Sequence, residues 1–206
     1  MSDIRARGTT RRSWLLACLA IPLCRLRAAT TFSVTYDGDS LYPVAPDLHF
    51  LTPKVVNRLR DSADTQAFIS QLTIFGGQNE VLRQAHARLI VSYSIWEQTF
   101  TVAIQPGFRS QEGLSAARAE SWCLENLAIS ASGLDPIKPF RMRLELRSVQ
   151  RTDLSRVLGD MGISLVSMID IFSRKAGARE ETWTLNTDWL RLVELPRLSG
   201  RPAHRG

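Results

Sequence analysis

Apolar residues recur at every second position over several stretches of this chain, and that period marks strands with one buried face. Phe32, Val34 and Tyr36 alternate with Thr31, Ser33 and Thr35, and Asp37-Gly38-Asp39 then supplies a hairpin turn. The return from Leu41 to Leu51 reads as extended chain broken at Pro43 and Pro46. Ala67 to Phe75 predicts a further strand, closed by Gly76-Gly77. In the next one Ala85, Ala87, Leu89, Val91, Tyr93 and Ile95 share one face, while Gln84, His86, Arg88, Ser92 and Ser94 share the other. Glu97-Gln98 turns this strand into Phe100, Val102 and Ile104, so residues 82–105 read as a hairpin that Pro106-Gly107 ends. Phe140, Met142, Leu144 and Leu146 alternate with charged neighbours, and Glu181 to Leu185 forms a last strand ahead of Trp189.

Helical spacing interrupts these strands. Thr52-Pro53 is a helix start, with the hydroxyl as cap and proline at the first helical position, and Val55, Val56 and Leu59 then point inward as far as Asp61. Ala116, Ala119, Cys123 and Leu127 predict an amphipathic helix from Gly113 to about Ile129. Residues 162–176 predict a second long helix, ending at Gly177, in which Ser164, Ser167, Asp170 and Ser173 are a narrow polar stripe. Its apolar residues Ile163, Leu165, Met168, Ile169 and Phe172 admit two uses. One, the commoner for such a stripe, is core packing; the other, permitted by Arg174, Lys175 and Arg179 just beyond, is contact with a membrane surface or a partner groove. Strands that arrive as hairpins with helices between them predict an α+β fold: a mainly antiparallel sheet with two longer helices packed against it.

The first 29 residues follow different rules. Arg11-Arg12-Ser13-Trp14-Leu15-Leu16 leads into a short apolar run that ends at Leu23 and is followed by Ala28-Ala29, the order of an export signal. A membrane-spanning helix needs roughly 20 apolar residues, about twice what this run supplies. The paired arginines resemble a twin-arginine signal, although Trp14 stands where that signal usually has Phe, so the general secretory route is the alternative. Three segments follow: 1–29 as signal, 30–195 as one domain and 196–206 as a flexible basic tail.

Charge reinforces this division. The chain carries a formal +6, but residues 1–29 contribute +5 and the tail +3, leaving −2 on the body. A nucleic-acid binder concentrates basic charge on its folded domain, so nucleic acid is excluded as the expected partner. Of the three cysteines only Cys123 lies past the signal, which leaves no internal disulfide in the exported chain.

Chemistry-bearing motifs are few. Arg141, Arg143, Arg147 and Arg151 occupy odd positions of a strand whose even positions are apolar, with Glu145 between them. On a strand this sets the guanidinium groups in a row, about 7 Å apart per two-residue step. Such a row suits carboxylate or phosphate, hence an acidic glycan, a lipid head group or an acidic envelope protein. It also suits an ordinary exposed sheet face with cross-strand partners such as Glu97 or Glu181. Cys123 and His86 would form a nucleophile pair only if they met in space, and Trp122-Cys123-Leu124 is an apolar setting in which a thiol is packing. No catalytic residue, metal set or cofactor motif is assigned.

Arg88 through Val102, with Tyr93, Trp96-Glu97 and Phe100-Thr101-Val102, together with Trp183-Thr184-Leu185 to Asp188-Trp189, resembles a family of exported bacterial proteins catalogued only as a domain of unknown function. The resemblance implies an exported α+β domain and supplies no activity. The sequence therefore leads to a periplasmic or envelope-associated binding or accessory protein without enzymatic activity. The alternative is a small exported hydrolase whose site assembles only in three dimensions.

Overall fold

The computed structural model describes residues 31–62, 65–149 and 180–198. The expected export signal, Arg151 and the helix expected over 162–176 lie outside the described residues. Strands β1 (Ser33–Tyr36) and β2 (Ser40–Val44) form the first expected hairpin. Its turn is built on Asp37, whose Oδ1 accepts the amides of Asp39 and Ser40 at 2.9 and 2.7 Å, while Oδ2 accepts the Tyr42 hydroxyl at 2.7 Å. Gly38 completes the turn at φ +113°, where a side chain is strained.

Helix α1 (Pro53–Ser62) leads to β3 (Thr65–Phe75), β4 (Val81–Ser94), β5 (Thr99–Gln105) and β6 (Arg109–Leu114). Helix α2 (Ala116–Glu125), β7 (Ile129–Ser130), β8 (Arg141–Val149), β9 (Thr182–Asn186) and a 3-10 turn (Leu192–Glu194) complete the order. A small sheet runs β1-β2-β7 and a large one β6-β5-β4-β3-β8-β9. Every pairing between these strands is antiparallel, so the α+β architecture expected from the hairpins is the one found.

One face of the large sheet carries the main core. Phe68, Leu72 and Ile74 of β3 meet Leu89 and Val91 of β4 and Met142, Leu144 and Leu146 of β8 there. Val55 and Leu59 of α1 and Ala119 and Cys123 of α2 close over them. Burying a side chain of this kind stabilises by roughly 1.5–3 kcal/mol. Phe50 sits edge-on to Phe68, their ring centres 5.0 Å apart. On the opposite face Ala67, Ile69 and Val149 are buried as well, outside that cluster. Arg88, which the sequence places on the polar side of β4, is only 2% exposed.

Local expectations needed correction in three places. The Thr52 hydroxyl does not cap α1; it donates to Glu181 Oε2 at 3.3 Å, because the fold brings a carboxylate from 129 residues away within its reach. Helix α2 begins later than Gly113, since Gly113 takes φ +73° and Ser115 caps the helix by accepting the Arg118 amide. β6 was not expected after Pro106-Gly107, because Arg-Ser-Gln-Glu-Gly has no apolar alternation; it is an exposed edge strand. The tail is tied down where it starts: the Tyr36 amide donates to Pro196 O at 3.1 Å and the Leu198 amide to Tyr36 O at 2.9 Å. Among the described residues no helix is long and apolar enough to cross a membrane.

Candidate functional site

The register of β8 settles where the arginines go. Arg141 lies opposite Phe75, Arg143 opposite Thr73 and Asn186, and Arg147 opposite Ile69 and Thr182, all on the face away from the main core. β4 adds Arg88, paired with Ile69, and His86, paired with Gln71. Five basic side chains from two strands therefore share this face, and on β8 Glu145 stands between Arg143 and Arg147.

Each arginine is held differently. Arg141 stacks its guanidinium over two rings, 5.3 Å from the Phe75 centroid and 5.7 Å from that of Trp189. Cation–π contact of this type contributes about 0.5–1 kcal/mol at exposed sites and more when desolvated. The two rings fix the guanidinium plane, and the Arg141 Nε is buried with no hydrogen-bond partner among the described residues. Arg143 lies 4.8 Å from the same Phe75 centroid, donates from Nε to Asn186 Oδ1 at 2.9 Å, and reaches Glu145 at 3.9 Å. Arg88 donates from Nη1 to Gln105 Oε1 at 3.1 Å, and burial lowers its pKa below the usual arginine range. Burial likewise holds the His86 imidazole below its usual 6.5.

The face is therefore not the row of solvated guanidinium groups that strand alternation alone describes. Glu97 lies in the β4–β5 turn, where its Oε2 accepts from Thr99, and Glu181 accepts from Thr52; the partners next to Arg143 are Asn186, Glu145 and Phe75. Phe75 and Trp189 are the ring contacts of this face that the sequence reading missed. Trp189 is 49% exposed, and an exposed tryptophan after a strand was the one available signal.

Elsewhere, Cys123 and His86 do not meet, since Cys123 belongs to the core cluster and His86 lies on the other face of the sheet. Desolvation, with the Glu120 charge added, pushes the Cys123 thiol up to about 12. A different histidine does have a carboxylate: His49 Nδ1 donates to Glu120 Oε2 at 3.0 Å, and Glu120 Oε1 accepts the Leu51 amide at 2.6 Å. Glu120 is buried and the His49 side chain is 69% exposed, a pairing across 71 residues that no local motif announces.

A cavity of about 310 Å³ opens where the β3–β4 turn meets the loop before β8. Leu82, Leu134 and Phe140 line it with Glu80, Arg83, Asp135 and Lys138. Among the described residues, no group of three or more His, Cys, Asp or Glu is placed to hold a metal. No family model, curated protein or solved structure matches the chain.

Proposed function

We propose that the chain is an exported, envelope-associated binding module without enzymatic activity, and that it takes an anionic group on the Arg141 and Arg143 end of this face. The observation that carries the reading is the Arg141 guanidinium, seated on Phe75 and Trp189 with its buried Nε unpartnered. A buried donor without a partner costs about 1–3 kcal/mol, and an anion bound at this edge removes that cost. Planar carboxylate and phosphate groups match the guanidinium fork, so an acidic glycan, a lipid head group or an acidic envelope protein all present suitable chemistry. The signal-like order of residues 1–29 supports work at the envelope.

Titration calorimetry with oligogalacturonate, and sedimentation with phosphatidylglycerol vesicles, test the reading. Binding of either probe, lost in the Arg141→Gln/Arg143→Gln double variant, supports it. Failure of both probes, or equal binding by the variant, contradicts it.

The hydrolase alternative draws on His49, because a buried carboxylate that orients an exposed imidazole is half of a nucleophile and base arrangement. The hydrogen-bond partner of that imidazole is Glu120, and no described serine, threonine or cysteine bonds to it. Among the described residues the alternative thus lacks its nucleophile.

A further inference from the structure

The 310 Å³ cavity falls within the size range of small-ligand sites, and its lining has an uneven charge pattern. Asp135 and Lys138 lie 3.8 Å apart and compensate each other. Glu80 and Arg83 do not: neither forms an ion pair with a described residue, although both face the same space. Among the described residues Arg83 donates to carbonyls, from Nη1 to Leu82 O at 3.0 Å and from Nη2 to Ser132 O at 2.9 Å. These two bonds orient it, and no described carboxylate pairs with its charge.

Two glycines lie beside these groups. A Cβ at Gly76 would lie 2.8 Å from Glu80 Oε1, and one at Gly133 would lie 3.0 Å from Arg83 Nη2. Both charged side-chain ends therefore lie close against glycine backbone. The result is one carboxylate and one guanidinium at the rim of a single cavity, above Leu82, Leu134 and Phe140.

We propose that this cavity binds a small apolar zwitterion of the size of an amino acid or dipeptide. Its ammonium meets Glu80, its carboxylate meets Arg83, and its side chain lies on Leu82, Leu134 and Phe140. A simple anion would face the Glu80 charge and a simple cation the Arg83 charge, whereas a zwitterion compensates both. None of these residues belongs to the arginine face, so the site goes beyond the function proposed above and stands or falls without it.

The test is calorimetric titration of the full chain with L-leucine and L-phenylalanine. Each is compared with its N-acetyl derivative, which lacks the ammonium, and its amide, which lacks the carboxylate. At least one of the two amino acids binds, and each derivative of it binds about tenfold more weakly or worse, the scale of a charged hydrogen bond lost. Glu80→Gln removes the preference over the N-acetyl compound and Arg83→Gln removes the preference over the amide, with melting temperatures close to wild type. Absence of binding by both amino acids overturns the proposal. So does a wild-type chain that binds either derivative as tightly as the parent, or a preference that survives its cognate substitution. The wild-type derivative series decides the matter by itself if a variant fails to fold.

Discussion

Glu120 Oε1 accepts the Leu51 amide at 2.6 Å, so a buried carboxylate on α2 holds the loop that leads into α1. Its second oxygen accepts a hydrogen bond from His49 Nδ1 at 3.0 Å. Glu120→Ala leaves the Leu51 N–H buried without an acceptor, and a loss of about 1–3 kcal/mol is expected. His49→Ala removes only an exposed partner and is expected to cost about 0–1 kcal/mol. Urea unfolding of the two variants measures both, and equal losses would show that the Leu51 contact is not the anchor.

Cys123 is expected to be inert. A thiol pushed up to about 12 by desolvation and the neighbouring Glu120 charge has almost no thiolate at neutral pH. Iodoacetamide should therefore leave the native protein unlabelled at pH 8 and modify it promptly in denaturant. Cys123→Ala should lose on the order of 1 kcal/mol, in keeping with a small buried side chain. Rapid labelling of the native state would contradict the burial.

Two groups set opposite ends of the acid response. Burial raises the Asp37 carboxyl, but hydrogen bonds from Tyr42, Asp39 and Ser40 outweigh it and leave the group below its usual 3.8. The folded state thus binds this proton less readily than the unfolded one. The stabilisation is complete above about pH 3.8 and disappears as pH falls through the lower, folded value. Asp37→Asn should be less stable than wild type at pH 7, and the gap should close in strong acid.

His86 acts at milder pH. Burial holds its imidazole below 6.5, so the unfolded chain takes up a proton first and stability drops as pH falls from about 6.5 toward the folded value. His86→Gln should flatten that part of the pH profile in thermal melts. An unchanged slope would assign it to another group.

How much of this was legible in the sequence differs by element. β3, β4, β5 and β8 announced themselves, because one buried face imposes a period of two that composition preserves. β6 did not, since an exposed edge strand buries nothing and Arg109 to Gly113 carries no such period. The arginine row was readable as a row, but its setting was not. Phe75 meets Arg141 only because β3 pairs with β8, and Trp189 arrives through the bridge of Phe140 to Leu190. Strand order of this kind depends on contacts made across scores of residues, and alternation along one strand carries no record of it. The His49 and Glu120 pair was hidden for the same reason.

Export is tested independently of the fold. Arg11→Lys/Arg12→Lys should leave unprocessed precursor in the cytoplasm if the twin-arginine route is used. Normal processing of that variant would assign the chain to the general secretory route.

The central claim is that the ring-held guanidinium of Arg141 receives an anion. Its most direct test is the affinity of wild type and Arg141→Gln for oligogalacturonate and phosphatidylglycerol vesicles, measured as salt rises. Exposed charges are screened over about 8 Å at physiological ionic strength, so wild-type affinity should fall with salt for at least one probe. The Arg141→Gln variant should bind that probe at least about tenfold more weakly, with a shallower salt dependence. Equal affinity and an equal salt slope in the two proteins would contradict the account.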